Sequence, residues 1–376
     1  VTTEAPATPD EVRLLDLQVR SFKGIESLDF DFTRSDGTAL SQMLFIGPNA
    51  TGKTSLLEAI GLLTSNMTPS SGIESSSRFS ATDFEIKSAI ESNREIRLGS
   101  PPKQHTGAQR LLTWRSPIHT SDNLNVSVHF FKADSGVASG GPSGGTWEKT
   151  EVLDDLEQKL VNAYTRRATS RSRDPNAPDP FAQVQRAWQK FEDAQTHLDV
   201  IQESDNPGSA FRVVVRDDRE IPADVGSLAK ARKLAPARAD IPSLITLDQL
   251  SAGQQRLFSF IGPLVFRDRP AEIVLIDEAE SHLHPTWAMR LIPALREVVP
   301  HAQIIATTHS PYLVDQFQPE EIFTLYRDQQ DRVSCARLRE HPDFERLKTI
   351  MSTGEFWSSA GEQWVARQAK PEAHGG

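Results

Sequence analysis

The chain has 376 residues, 38% of them hydrophobic and 24% charged, which is the make-up of a globular domain and not of a disordered or fibrous one. A net charge of −10 opposes a polyanion globally, so any nucleic-acid contact has to come from a local basic patch. No apolar run approaches the roughly 18 residues of a membrane span, and the single cysteine, Cys335, excludes an intrachain disulfide, so a cytoplasmic protein is expected.

Residues 1–10 are polar, lack the basic and apolar segments of a signal peptide, and read as a flexible tail. From Val12 to Phe32 the alternation of Leu15, Leu17 and Val19, then Ile25, Leu28 and Phe30, predicts two strands turning at Phe22–Gly24. Met43–Ile46 is a short buried strand. The octet Gly47, Pro48, Asn49, Ala50, Thr51, Gly52, Lys53, Thr54 follows it and fits the phosphate-binding P-loop pattern, and Thr54–Leu63 reads as the helix behind it. Glycines let the backbone approach phosphates closely, and the helix start, through Ser55, aims N–H groups at them. Lys53 adds a point charge for the β- and γ-phosphates, and Thr54 a hydroxyl for Mg²⁺.

Residues 65–80 read as loop, Leu111–Phe131 as two strands, and 135–145 as a Gly/Ser linker. Glu151–Tyr164 and Phe181–Gln202 are expected to be helices, the second from Phe181, Val184, Trp188, Phe191, Leu198 and Ile201. Between them Arg166, Arg167, Arg171 and Arg173 form a basic run that could track phosphates, with Lys230, Arg232 and Lys233 as a second patch; a solvated loop is the alternative. Residues 146–240 read as an insertion built on a short helical hairpin.

A helix is predicted over Ala252–Phe266, with Ser251 at its N-cap. Glu272–Ile276 is a buried strand running into Asp277 and Glu278. A strand C-terminus in an α/β sheet opens on the ligand crevice. There Asp277 would hold Mg²⁺ and Glu278 would polarise an attacking water as general base. His282 and His284 follow closely, but a capping role or a place at a subunit seam suits them better than a transition-metal site. Pro285 opens the next helix, expected over Trp287–Val298. Gln303–Thr308 is a second buried strand, and His309 at its end is placed to contact a γ-phosphate. Glu321–Tyr326 and Arg332–Leu338 complete a mainly parallel sheet. Ser352–Glu355 fits a capping box, and Phe356, Trp357, Ala360, Trp364 and Val365 form an apolar stripe that would dock on its own core or hold a partner.

Leu250–Arg256, with Ser251, Gly253 and Gln254, supplies the L-S-x-G-Q pattern. Together with the P-loop, the apolar strand ending in Asp277 and Glu278, and His309, it makes the chain resemble an ABC-type, AAA-like ATPase head. Val19–Ile25 is similar to the first-strand motif of the RecF/SMC branch, which implies that Phe22 and Lys23 lie near the nucleotide. Asp277–Pro285 resembles OLD-family and Septu-type defence ATPases, whereas RecF and SMC heads usually carry Asp where His284 stands. The resemblance covers about 11–64 and 245–328.

It implies an α/β P-loop fold: a head with a mainly parallel sheet, an antiparallel β portion and a short helical insertion. Residues 11–145 and 241–340 would form the two parts of the head, and 341–376 a C-terminal helical tail. It further implies ATP and Mg²⁺ as cofactors, and a homodimer, or a higher oligomer, that sandwiches ATP between the P-loop of one copy and Ser251, Gly253 and Gln254 of the other. The glutamine that such heads place between P-loop and signature has no clear counterpart; Gln104 and Gln109 are the candidates. OLD proteins also carry a C-terminal nuclease. Residues 310–376 hold no D-x-D pair, so the expectation is an anti-phage defence ATPase that controls a separately encoded effector, a nuclease being one candidate. The alternatives are a RecF-like repair ATPase that clamps DNA directly, and a scaffold that binds ATP with little turnover.

Overall fold

Side chains alternate along β-strands, and in the computed structural model this alternation divides the apolar residues of the central sheet between two cores. The structure describes residues 13–64, 85–90, 94–99, 127–133, 138–139, 149–169, 179–192, 196–206, 208–219, 221, 225–234, 244–267 and 273–361. In chain order the elements are β1 (Asp16–Phe22), β2 (Ile25–Asp31), β3 (Gln42–Ile46), α1 (Lys53–Thr64), β4 (Glu85–Ile90), β5 (Arg94–Gly99), β6 (Val128–Phe131), β7 (Ala138–Ser139), α2 (Lys149–Thr169) and α3 (Pro180–Trp188). There follow β8 (Thr196–Gln202), β9 (Phe211–Asp217), α4 (Leu228–Leu234), β10 (Leu244–Thr246), α5 (Ala252–Val265), β11 (Ile273–Ile276), α6 (Pro285–Ala288) and α7 (Leu291–Val298). The chain continues with β12 (Gln303–Thr308), α8 (Pro311–Val314), β13 (Ile322–Arg327), β14 (Val333–Arg337), α9 (Phe344–Leu347) and α10 (Thr353–Phe356).

The central sheet has the order β14-β13-β3-β12-β11-β6-β7. Its five inner strands run parallel, and β14 and β7 pair antiparallel at the edges. On one face Met43, Phe45, Ile273, Leu275 and Ile305 pack against Leu56, Leu57 and Ile60 of α1 and against β1 and β2. Phe30, Phe32, Phe45 and Phe323 interlock there, with Phe45 and Phe323 centroids 5.4 Å apart. On the other face Leu44, Ile46, Val274, Ile276, Ile304 and Ala306 meet α2, α3, α5 and α7. Full burial on both faces is what an inner parallel strand requires, and it explains the unbroken apolar runs of β11 and β12. A four-stranded antiparallel sheet, β2-β1-β4-β5, and a three-stranded one, β10-β9-β8, flank this core. The fold is therefore α/β, with a mainly parallel sheet and added antiparallel strands.

Two expected helices differ from the sequence reading, and edge strand β7 (Ala138–Ser139), paired with β6, falls inside the expected 135–145 linker. The helix expected over Phe181–Gln202 stops at Trp188, and Thr196–Gln202 is strand β8, paired with β9. Leu198 and Val200 alternate inward at period 2 while Trp188 stacks on Phe258 of α5 at 4.7 Å, so tertiary packing overrides the near-heptad spacing. The insertion thus contributes strands as well as its helical pair, and Leu156, Leu160, Phe181 and Trp188 join the main core. The helix expected over Trp287–Val298 divides into α6 and α7. Pro293 has no N–H to give to Met289 and its ring crowds that carbonyl, so a new helix has to begin near it.

Of the two strands expected over Leu111–Phe131, β6 is described and residues 101–126 lie outside the described residues. Cys335 sits in β14, and burial pushes its thiol well above the ordinary range, which makes it a poor nucleophile. Phe356 and Trp357 of the C-terminal stripe are buried in the main core; Trp364 and Val365 lie outside the described residues. No helix among the described residues is long and apolar enough to cross a membrane.

Candidate functional site

Strand β3 ends at Ile46, and the loop Gly47–Gly52 returns the chain into α1. A Cβ on Gly47, whose φ is +147°, would stand 2.2 Å from the carbonyl oxygen of Leu325 in β13. Gly52 has φ +88° and Ala50 φ +62°, so the loop runs through left-handed backbone. Thr51 Oγ1 donates to Pro48 O at 2.8 Å, and Arg327 donates to Ala50 O through Nε at 3.2 Å and Nη2 at 3.1 Å. Lys53 is buried and folds back over the loop, with Nζ 2.9 Å from the carbonyl oxygens of both Gly47 and Pro48. Burial pushes its pKa down to about 8, against the pull of the carboxylates of Asp277, Glu278 and Glu280. Ser55 lies in the first turn of α1, where backbone N–H groups have no partner within the helix.

Strands β3, β12 and β11 lie side by side and parallel, so their C-terminal ends meet. Thr54 Oγ1 donates to Asp277 Oδ2 at 2.9 Å, and Thr307 Oγ1, from β12, donates to Asp277 Oδ1 at 2.7 Å. The Glu278 N–H donates to Thr307 Oγ1 at 2.8 Å. Glu278 itself holds φ +47°, an uncommon conformation for a residue with a Cβ and one that recurs at functional sites. Glu280 accepts from Thr308 Oγ1 and from the His309 N–H, both at 2.6 Å. The His309 side chain is exposed. Thr54, Lys53, Asp277, Glu278 and His309 are thus gathered at one end of the sheet from positions more than two hundred residues apart. A hydroxyl and a carboxylate are hard oxygen donors, the set that Mg²⁺ takes alongside water and phosphate oxygens.

Phe22 is buried in the core that also holds Leu56, Leu57 and Ile60 of α1. Lys23, at φ +45°, pairs with Glu58 of α1, and its Nζ lies 5.9 Å from the Phe22 ring centre. The Leu250–Arg256 segment opens α5. Ser251 Oγ accepts from the Gln254 N–H at 3.3 Å, and the Gln254 side chain accepts from the Ser251 N–H at 3.0 Å, a reciprocal capping box. Gln254 also donates to Glu192 at 2.9 Å. A Cβ on Gly253 would sit 2.9 Å from His282 O, beside the Trp287 ring, so the segment lies directly against the loop that follows Glu278. Among the described residues, the side-chain hydrogen bonds of Ser251 and Gln254 run to each other and to Glu192, and none runs to Gly47–Thr54. His284 caps α6, its Nδ1 accepting from the Thr286 N–H at 3.3 Å.

The basic run is described only in part. Arg166 and Arg167 are exposed in the last turn of α2 and Arg167 lies 3.4 Å from Asp179, while Arg171 and Arg173 are outside the described residues. In the second patch Lys230 lies 3.5 Å from Asp205. Gln104 and Gln109 also fall outside the described residues. Sequence reasoning missed Thr307, Glu280, Arg327 and Lys132. Lys132 follows β6 beside β11; it lies 3.7 Å from Glu58, and its carbonyl accepts from Arg256 at 2.9 Å. Thr307 and Glu280 adjoin recognised residues, which is the only signal they carry. Arg327 and Lys132 have none, because their places depend on strand order.

Several known proteins and family models resemble parts of this chain. A family model described as "AAA domain" matches residues 16–202, and a second, "AAA domain, putative AbiEii toxin, Type IV TA system", matches residues 148–315. The chain is 41% identical over 66 residues to the "Septu protein PtuA" of Bacillus thuringiensis, a match covering 18% of this chain and 17% of that one. It is 34% identical over 92 residues to the "Retron Ec83 probable ATPase" of Escherichia coli, covering 22% and 17%. The matched segments therefore span less than a fifth of either relative. A solved SMC head bound to the C-terminal winged-helix domain of ScpA aligns over 87% of this chain and 98% of its own at 13% identity, with a TM-score of 0.47.

Proposed function

We propose that the chain, parts of which match AAA-domain family models, is an ATPase that binds Mg·ATP between two copies of itself and hydrolyses it to control a separately encoded effector in anti-phage defence. One observation carries the reading. Thr54, Asp277 and Thr307 are joined by hydrogen bonds at the mouth of the loop that holds Lys53, so a hydroxyl–carboxylate pair and a cation converge where the triphosphate would end.

In this mechanism the backbone of Gly47–Ser55 cradles the phosphates, and Phe22 and Lys23 border the nucleotide. Lys53 leaves the Gly47 and Pro48 carbonyls for the β- and γ-phosphates. Thr54 and Asp277 would hold Mg²⁺, which neutralises charge on the β- and γ-oxygens when bound. Glu278 orients and deprotonates the attacking water, and His309 donates to the γ-phosphate. Ser251, Gly253 and Gln254 of the second copy close the site. Within one copy this segment lies against the loop that follows that copy's own Glu278, which supports the reading because a contact it makes on the partner's nucleotide is then coupled to its own catalytic loop. The likeness to a Septu protein and to a retron ATPase supports the defence role, and the separately encoded effector is part of the proposal.

Two γ-phosphates, each bridging two copies, supply the differential affinity that a switch needs. Moving the dimer population from 1:99 to 99:1 takes about 5.5 kcal/mol. The test is solution scattering with saturating Mg·ATP. Glu278→Gln is expected to be a stable dimer, and Lys53→Ala a monomer that binds no nucleotide. A monomeric Glu278→Gln variant with ATP bound refutes the sandwich.

A further inference from the structure

Two reciprocal hydrogen-bond pairs lace the ends of β11 and β12 together. From β12, the Thr307 hydroxyl donates to Asp277 and accepts from the Glu278 N–H. From the loop after β11, Glu280 reaches back and accepts from the Thr308 hydroxyl and the His309 N–H, both at 2.6 Å. The Ala279 N–H completes the lacing at 3.0 Å from Thr307 O, and the Ser310 N–H donates to Thr308 Oγ1 at 2.9 Å. The Glu280 carboxylate therefore fastens the first residue beyond β12 directly, and the second through Thr308.

From this geometry we infer that Glu280 is a positioning residue for hydrolysis: it holds the backbone of His309 so that the exposed imidazole stays aimed at the reacting phosphate. The inference rests on the ATPase reading above and deepens it by one residue. Charge-assisted hydrogen bonds to a carboxylate are the short, strong class, and two of them on one side chain fix both distance and direction. His309 lies past the last strand residue, so its own ladder no longer restrains it. With Glu280 shortened, its N–H has lost its acceptor and the backbone drifts. Misplacement by about 1 Å of a group in the reacting geometry lowers rate by up to about a hundredfold. Substrate binding, carried by Gly47–Ser55 and Lys53, is left in place.

The experiment is steady-state ATP hydrolysis by the full chain, with Glu280→Ala, Glu280→Gln, His309→Ala and the double variant Glu280→Ala/His309→Ala measured beside wild type and Lys53→Ala. Glu280→Ala is expected to lower kcat by about tenfold or more with KM changed less than about twofold. Glu280→Gln keeps one oxygen acceptor and recovers part of that loss. Because Glu280 acts through His309, the double variant falls within about twofold of His309→Ala alone. A Glu280→Ala kcat equal to wild type, a loss carried wholly by KM, or losses that multiply in the double variant overturns the assignment while leaving the ATPase reading intact. Wild-type turnover no greater than that of Lys53→Ala overturns both. If Glu280→Ala does not fold, Glu280→Gln and Thr308→Val decide: kcat at the wild-type value in both overturns it, and a selective fall in kcat sustains it.

Discussion

Replacing Thr307 with valine tests whether the site is held by chemistry or by shape. Thr307 is fully buried, and its hydroxyl both donates to Asp277 at 2.7 Å and accepts from the Glu278 N–H at 2.8 Å. Valine keeps the volume and the β-branching of threonine but removes both bonds. A hydrogen bond to a charged group contributes about 1.5–3 kcal/mol, and a neutral one about 1 kcal/mol. Asp277 keeps the Thr54 hydroxyl, so the carboxylate is half-satisfied and not abandoned. The expected loss for Thr307→Val is therefore about 3 kcal/mol. Thr307→Ser retains the hydroxyl and loses one methyl group, for about 1 kcal/mol. The smaller side chain should thus be the more stable variant by about 2 kcal/mol, the reverse of the order that packing alone gives. The assay is urea unfolding of the nucleotide-free protein, reading the shift of midpoint at constant slope. A Thr307→Val variant as stable as Thr307→Ser, or within about 0.5 kcal/mol of wild type, refutes the claim that the hydroxyl holds the site together.

The other variants probe the loop, the cap and the lysine. Gly47→Ala places a Cβ 2.2 Å from Leu325 O at φ +147°, so it should unfold at least about 2 kcal/mol more easily and lose nucleotide binding; wild-type binding by calorimetry would contradict the close approach. Ser251→Ala removes the α5 cap and should lower stability by about 1 kcal/mol without nucleotide. Should it form the ATP-dependent dimer as readily as wild type, Ser251 is a cap and nothing more. Lys53, pushed down to about 8 when the loop is empty, should regain its proton as phosphates arrive. Binding then takes up about half a proton at pH 8, and affinity falls towards tenfold per pH unit above it. In the empty protein the unfolded chain binds the extra proton, so this group's contribution to stability rises with pH between about 8 and 10.5. Calorimetry in two buffers of different ionisation heat measures the uptake, and none at pH 8 would show that Lys53 is already charged.

Short-range patterns made much of the site legible. Gly47 and Gly52 are where left-handed backbone is needed, Lys53 and Thr54 follow at the spacing a loop–helix junction imposes, and the apolar runs of β11 and β12 announce strands buried on both faces. Ser251 could be read as a cap because capping is settled within four residues. The failures have a common cause. Phe181–Gln202 carried a helix-like spacing, yet whether Leu198 and Val200 lie on a helix or a strand depends on β9, a partner the local pattern does not contain. Trp287–Val298 divides around Met289 and Arg290, ahead of Pro293, which has no N–H with which to continue a helix. Local chemistry dictates which residue types stand at strand ends and loop mouths, because backbone geometry and alternation are settled within a few residues. Which side chains face each other depends on long-range packing: Thr307 grips Asp277, Glu280 grips His309, Arg327 holds Ala50 and Lys132 meets Glu58. Those pairings follow from the order β13-β3-β12-β11-β6 in which strands distant along the chain lie side by side, and that order is set by the burial of two whole sheet faces at once.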